Sequence, residues 1–369
     1  MPERLADEHT LLGELVGDQA GEWDTSGALP PALVRDLGAR GLLCAEVPTA
    51  YGGLGVTSRE NGEFTAYAGS LCSSLRSLMT SQGMAAWTIG RLGDPGQHRE
   101  FLPRLTGGSL AAVGFSEPDA GSDLSTMSTR IRVEGDSVVV DGQKRWVTGA
   151  DYADLLVVFG LFEDGAASVV VPAAAPGVRI TRVAQPLGCR AAGHADIALD
   201  NVRVPAGNLL GGTALPLPLL VTTALAYGRL SVAWGCVGIL RACLNAAAGH
   251  AKARVQFGKP LSEHQLVARH LAELLVSEQV ASRACEHASR CWDDKSPELV
   301  MATVLAKHVS AGHAARGAAS AVQVLASAGA EDGSVVARAY RDAKLMEIIE
   351  GSNEICQVIL AQHAVAGAP

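Results

Sequence analysis

Apolar positions change their spacing twice along this chain. In residues 1–105 they recur at helical intervals. The segment 31–43, P-A-L-V-R-D-L-G-A-R-G-L-L, keeps one apolar face. The same period runs through 58–93, with Gly83 and Gly93 read as breaks and Asp94-Pro95 as a new helix start. Between them, V-P-T-A-Y-G-G-L-G-V (47–56) reads as a glycine-rich loop. Residues 109–205 shift to β-type runs at Val138–Val140, Leu155–Phe159 and Val169–Val171. The turn pairs Gly135-Asp136, Asp141-Gly142, Asp164-Gly165 and Pro176-Gly177 separate them. Helical spacing returns over 214–366, with long helices expected at 217–251, 261–292 and 297–327, lengths that suit a bundle. The pattern predicts an α+β chain: an N-terminal helical domain (1–108), a compact antiparallel β domain (109–212) and a C-terminal helical bundle (213–369).

Composition narrows this picture. With 48% hydrophobic residues in 369 the chain has ample core, and with only 4% aromatics it suits closely packed helices. A net charge of −8 gives no basic field for nucleic acid, and no nucleic-acid motif is present. The eight cysteines form no C-x-x-C and mostly lie in apolar helical stretches, which predicts reduced thiols used for packing and no metal site. The polar start, M-P-E-R-L-A-D-E-H-T, has no signal or transit character. The most apolar stretch, 214–240, carries Pro216, Pro218 and Arg229, so it reads as a core helix rather than a membrane span. A cytoplasmic protein is the expectation.

Candidate chemistry lies in four segments. E-I-I-E-G-S-N-E-I (347–355) sets Glu350 before a Gly-Ser break between two helical patterns. Ser352 and Asn353 would start the last helix, and Glu350 is then either a surface acid or a carboxylate projecting into a cleft. V-G-F-S-E-P-D-A-G-S-D (113–123) is a loop able to offer backbone N–H groups and short hydroxyls to a ligand. In G-Q-K-R-W-V-T-G (142–149), Trp146 and Thr148 are two apart and would share a strand face. That suits stacking and hydrogen bonding to a planar heterocycle, although core filling also explains a tryptophan. In A-R-V-Q-F-G-K-P-L-S-E-H-Q (253–265), Arg254 and Gln256 could bind phosphate or cap helices.

Together these segments resemble the acyl-CoA dehydrogenase family over essentially the whole chain. The family's Y-G-G-x-G stands at 51–55, [ST]-E-P-x-A-G-S-D at 116–123 and G-Q-K-x-W-[IV]-T at 142–148. R-x-x-F-G-K-x-[LI]-x-x-x-Q stands at 254–265 and E-G-[TS]-x-[EQ]-I at 350–355. The resemblance implies that fold: an N-terminal α domain, a β-barrel-like middle domain and a C-terminal four-helix bundle. It implies FAD as cofactor. Val113, Phe115, Ser116, Trp146 and Thr148 would surround the flavin ring. Ser122 would lie near the pyrophosphate or the substrate's pantetheine arm. Arg254, Phe257 and Gln323 would reach the dinucleotide of a neighbouring subunit, so at least a homodimer is implied, dimer or tetramer. Ser352 and Glu354 would touch the cofactor near Glu350. Arg229, Ile349 and Gly351 would border the substrate. Glu350 would remove the α-proton of an acyl thioester while flavin N5 takes the β-hydride. The Glu350 backbone N–H would help hold the thioester carbonyl. Electron-transfer flavoprotein or another acceptor would reoxidise the flavin.

The chain also departs from the pattern. Ile349 replaces a frequent tyrosine. Q-V-L-A-S-A-G (323–329) puts Ala326 and Ser327 where paired glycines are usual, and Cys356-Gln357 replaces Q-R. Residues 204–228 hold no charge at all, so no site for the phosphates of coenzyme A is evident. Arg179, Arg182, Arg190 and Arg203 form either a solvated β surface or a docking patch for an acidic acyl carrier protein. The chain is most similar to the branch serving polyketide extender-unit biosynthesis, of hydroxymalonyl or methoxymalonyl type. Its substrate would be a short, polar three-carbon acyl thioester on a carrier protein, for which the proton Glu350 removes is either the α-carbon proton or that of a hydroxyl or aldehyde hydrate. A conventional acyl-CoA dehydrogenase, a flavin oxidase or monooxygenase on the same fold, and a flavin-free structural partner are the competing readings.

Overall fold

The computed structural model describes residues 5–366; the sequence readings of residues 1–4 and 367–369 lie outside them. Six helices come first: α1 (Ala6–Val16), α2 (Ala20–Ser26), α3 (Pro31–Ala39), α4 (Ser58–Leu71), α5 (Ser73–Leu92) and α6 (Pro95–Thr106). Two have reciprocal caps. Thr57 Oγ1 accepts from the Glu60 N–H at 3.2 Å while Glu60 Oε2 accepts from the Thr57 N–H at 2.8 Å. Asp94 and Gln97 do the same at the start of α6, where Asp94-Pro95 predicted it. The break expected at Gly83 does not exist. α5 runs straight through it, and the chain bends instead at Cys72, whose backbone is extended (φ −153°, ψ 108°). Gly83 serves packing: a Cβ there would overlap the ring of Tyr227.

The middle layer holds β1 (Ala111–Gly114), β2 (Arg130–Glu134), β3 (Ser137–Val147), β4 (Leu155–Phe162), β5 (Gly165–Pro172), β6 (Val178–Arg182) and β7 (Ala195–Pro205). They make one sheet in the order β1-β4-β2-β3-β7-β6, with β5 also on β4. Pairings β2–β3, β3–β7, β6–β7 and β4–β5 are antiparallel. β1 and β2 run parallel to β4 instead, taking successive stretches of it: Ala111 opposes Leu155, and Arg130 opposes Leu161. β4 is buried on nearly every residue, which explains its unbroken apolar run L-L-V-V-F. The four arginines of the β surface are each matched to an acid. Arg203 reaches Glu134 at 2.7 Å, Arg190 reaches Asp332 at 3.2 Å, Arg182 reaches Asp151 at 3.7 Å and Arg179 reaches Asp200 at 3.9 Å. This is a charge-balanced surface, not a bare basic patch.

The last layer is α7 (Leu217–Ala253), a short hairpin of β8 (Val255–Gln256) and β9 (Lys259–Pro260), then α8 (Gln265–Asp293), α9 (Leu299–Leu325), α10 (Val335–Met346) and α11 (Asn353–Ala366). α7 is long and apolar enough to cross a membrane, yet it is mostly buried against α4, α5, α8 and α9, as the core helix its proline and arginine foretold. Small residues let it sit close: Gly235 faces the Arg76 side chain, and Gly238 faces the Ala66 carbonyl. All eight cysteines are buried and free.

α9 ends at Ala326, which takes φ 53° and ψ −128°. This is the position where the family pattern has glycine, and the conformation is one that a Cβ disfavours by about 1–3 kcal/mol. Glycine's larger unfolded-state entropy offsets part of that gain. Ala326→Gly is therefore expected to stabilise the protein by about 1 kcal/mol in a denaturant titration. A destabilised variant would show that the backbone here is not strained.

Candidate active site

The chemistry gathers where α5, α7 and the segment after α10 meet. α10 ends at Met346, and the chain then turns through Glu350 and Gly351 with φ of 56° and 86°. A non-glycine residue at positive φ is strained, so neighbours must hold it. Lys307, fully buried on α9, does so. Its Nζ donates to the carbonyls of Gly351 (2.7 Å) and Glu347 (3.3 Å) and to Asn353 Oδ1 (3.1 Å). Arg229 Nε donates to the Glu350 carbonyl at 3.1 Å. Ser352 Oγ accepts from the Ile355 N–H at 3.4 Å, so the serine caps α11 as expected. Capping of α11 and projection of Glu350 thus occur in the same turn.

The Glu350 side chain lies over Gly228 of α7. A Cβ on Gly228 would collide with Oε2 and with the Met84 methyl. Glycine is the only residue that leaves this space. Oε2 is buried and has no hydrogen-bond partner. Burial pushes the Glu350 pKa up to about 7, although Arg229, Lys307 and Arg76 each pull it down. Burial likewise lowers the pKa values of Arg229 and Lys307. A carboxyl poised near neutrality, buried and without a partner, can take a proton from a molecule bound against it. The Glu350 N–H also has no acceptor among the described residues.

One turn of α5 connects this carboxyl to a second surface. Ser81, three residues before Met84, donates to the Thr148 carbonyl at 2.9 Å. There β3 does not continue as a regular strand. Its register shifts between Lys144 and Val147, and Trp146 takes φ 54° while its N–H bonds Asp196 Oδ1 at 3.0 Å. The expectation that Trp146 and Thr148 share a face through simple strand alternation therefore fails in its mechanism. Both nevertheless border His194: Thr148 Oγ1 lies 3.3 Å from Nδ1, and the indole centroid is 5.9 Å from the imidazole. Burial drops the His194 pKa to about 4, and its Nε2 is buried without a partner. Trp146 itself is 49% exposed.

The loop 113–123 is welded to this surface. Glu117 and Lys144 form a fully buried ion pair at 2.7 Å, and Lys144 Nζ also donates to the Phe115 carbonyl at 3.1 Å. Glu117 accepts from the Ser128 N–H, the Ser128 hydroxyl and the Thr129 N–H at 2.6, 2.7 and 3.0 Å. Burial acts to raise its pKa, but Lys144, Thr129 and Ser128 outweigh that and bring it down to about 2. The Ser116 carbonyl accepts from the Arg145 N–H at 2.8 Å, and Phe115 stacks on Phe159 with centroids 4.1 Å apart. Val113, on β1, opposes Val157.

Three consecutive domain descriptions match this layout: "Acyl-CoA dehydrogenase, N-terminal domain" over residues 9–109, "middle domain" over 112–202 and "C-terminal domain" over 219–365. The chain belongs to the acyl-CoA dehydrogenase family. A probable acyl-CoA dehydrogenase of Bacillus subtilis (strain 168), YngJ, is 32% identical, covering 97% of this chain and 98% of its own. Butyryl-CoA dehydrogenase from Megasphaera elsdenii superposes with TM-score 0.94 at 25% identity, over 99% of both chains. FkbI, solved as a protein "for Biosynthesis of Methoxymalonyl Extender Unit of Fk520 Polyketide Immunosuppresant", superposes with TM-score 0.94 at 66% identity. That match covers 98% of this chain and 99% of FkbI.

This acyl-CoA dehydrogenase is an FAD-dependent oxidoreductase of acyl thioesters. The residues present fit FAD. An uncovered indole, an adjacent hydroxyl and an unmet imidazole nitrogen form a shelf suited to a flat heterocycle with a polar edge. Not every expected residue joins that shelf. Arg254 lies just past α7, and Phe257 sits at the tip of the β8–β9 hairpin, 95% exposed with φ 50°. Gln323 is exposed on α9, and Ser122 and Glu354 are exposed as well. No hydrogen bond links these five to Glu350 or Trp146 among the described residues. Ile349 is half-buried against the main core. Sequence reasoning missed Lys307, Gly228 and His194. Lys307 had one signal: a lone lysine inside the apolar helical run V-L-A-K-H-V.

Proposed function

We propose that the chain oxidises a short acyl thioester held on an acyl carrier protein, as a cytoplasmic enzyme of polyketide extender-unit biosynthesis. FkbI, two-thirds identical over nearly the full length, supports that assignment. The uncharged stretch 204–228 supports a donor other than free coenzyme A. Because the β-surface arginines are all matched with acids, the carrier is proposed without a docking site on them.

The observation that carries the chemistry is the orphaned Glu350 carboxyl over Gly228. Glu350 is the base. It takes the proton from the carbon next to the thioester carbonyl, and a double bond forms as hydrogen and its electron pair leave the next carbon. Bound FAD supplies the acceptor for that electron pair. The Glu350 N–H, which has no acceptor of its own among the described residues, donates to the thioester oxygen, so that negative charge is stabilised where it develops. Arg229 and Lys307 act through position. They fix the Glu350 and Gly351 carbonyls and so keep the carboxyl aimed at the cleft. Val113, Phe115, Ser116, Trp146 and Thr148 hold the flavin ring, with Ser352 and Glu354 at its Glu350 side. Ser122 is assigned to the substrate arm or pyrophosphate, and Ile349 and Gly351 to the substrate wall.

Phe257 and Val255 at the hairpin, with Leu266 and Val276 on α8, present apolar surface of 52–95% exposure. This surface supports a homo-oligomer in which Arg254, Phe257 and Gln323 serve the neighbour's cofactor. Electron-transfer flavoprotein or a similar acceptor completes turnover. A retained base favours a dehydrogenase over an oxidase or monooxygenase.

The test compares the same three-carbon acyl group on a carrier protein and on coenzyme A, beside longer acyl-CoA esters. The carrier-bound substrate is expected to give at least a tenfold higher kcat/KM. Efficient fatty acyl-CoA oxidation with no carrier-protein activity would overturn the carrier assignment.

A further inference from the structure

A cavity of about 340 Å³ lies between α5, α6, the 47–51 loop and Tyr227 of α7. Cys44, Tyr51, Trp87 and Leu102 give it a largely apolar wall, with Glu46 among its few polar groups. Glu350 does not line it. Tyr227 does. The order of residues at the α5–α7 crossing explains why. Gly83 faces the Tyr227 ring, and the next residue pair, Met84 and Gly228, meets the Glu350 carboxyl. Tyr227 thus borders the chamber while its chain neighbour Gly228 lies under the Glu350 carboxyl. Tyr227 is buried and does not rotate freely. Its hydroxyl accepts from Asn61 Nδ2 at 3.1 Å, and the same amide donates to Glu46 Oε1 at 2.8 Å. Its ring lies edge-on to Trp292, centroids 5.9 Å apart, and Trp292 meets Trp87 at 4.3 Å. Without the Cβ-free Gly83 the ring would not fit here at all.

We propose that Tyr227 sets the acyl-length limit of this enzyme, standing as a fixed stop between the Glu350 cleft and an apolar chamber that would otherwise extend it. The inference rests on the short-acyl reading above and adds the residue that enforces it. An acyl tail longer than the cleft meets a pinned aromatic ring rather than open apolar space. The chamber behind the ring has the volume and lining to take a further run of methylenes.

The test uses the FAD-loaded enzyme, pantetheine thioesters of three to eight carbons, and an unreactive S-octyl pantetheine thioether for calorimetry. Wild type is expected to favour three carbons and to bind the octyl thioether weakly. Tyr227→Ala is expected to raise octyl affinity at least tenfold and to move the chain-length optimum to longer esters. Should the alanine variant fail to fold, Tyr227→Leu, which removes only the outer ring, carries the same expectation with a smaller shift. Tyr227→Phe keeps the ring and should keep the limit. Unchanged octyl affinity and chain-length profile in the Ala or Leu variant would overturn the proposal, as would long-chain acceptance by the Phe variant. A wild-type enzyme that itself prefers eight carbons would sink the short-acyl reading. Three-carbon preference that persists in every variant would sink Tyr227 alone.

Discussion

Glu350→Gln keeps its FAD and loses substrate-driven flavin reduction by on the order of 10³-fold or more, since general-base removal by this carboxyl has no substitute nearby. The change is nearly isosteric, so the contacts over Gly228 and the Lys307 clamp on the backbone survive. Stability should move the other way. The folded pKa of Glu350, about 7, lies above its ordinary value of 4.5, so the folded chain holds this proton more tightly than the unfolded one. Stability from that proton is complete below the ordinary value and is lost as pH rises through 7. Glutamine has no proton to lose. Apoprotein carrying Glu350→Gln should therefore match wild type near pH 4.5 and exceed it at pH 8 by on the order of 1–3 kcal/mol. Equal stability at both pH values would mean that the carboxyl is not desolvated. Full reductive activity in the variant would remove Glu350 from the mechanism.

Lys144→Met is the second large effect. It leaves Glu117 buried and ionised beside Ser128 and Thr129 with no countercharge. Breaking a buried pair on one side costs about 3–5 kcal/mol. It also removes the donor to the Phe115 carbonyl, and so should loosen the loop proposed to hold the flavin. The expected outcome is a lower Tm with FAD lost on gel filtration. In wild type the Glu117 pKa is depressed to about 2, so its contribution is present above the ordinary carboxylate value and disappears as pH falls toward 2. The double variant Lys144→Met/Glu117→Gln removes the stranded charge and should recover part of the loss. A double variant less stable than the single one would contradict this reading.

Layer order was legible because each layer repeats one spacing many times, and a period summed over a hundred residues outweighs local exceptions. β4 and α7 show the point: each is an apolar run whose length chose strand or helix. Gly83 was misread because glycine serves both as helix end and as contact point, and only the ring of Tyr227, 144 positions away, tells which. Among site residues, Glu350 stood out through its Gly-Ser neighbours. Of the partners that make it reactive, Arg229 was named through the resemblance, whereas Gly228 and Lys307 were not. Gly228 and Arg229 reach it from α7 and Lys307 from α9, and no spacing along the chain encodes those meetings. Glu117 and Lys144 were both visible inside their motifs, but their bond spans 27 residues, so the motifs read as two loops rather than one clamped unit. His194 lies in an irregular turn and had no signal at all.

The most direct measurement is anaerobic stopped-flow reduction of the bound FAD by a three-carbon acyl group on its carrier protein, with hydrogen or deuterium on the carbon beside the thioester carbonyl. The account predicts stoichiometric flavin bleaching in wild type, slowed severalfold by deuterium and absent in Glu350→Gln. Bleaching that ignores both the deuterium and the glutamine substitution would contradict it.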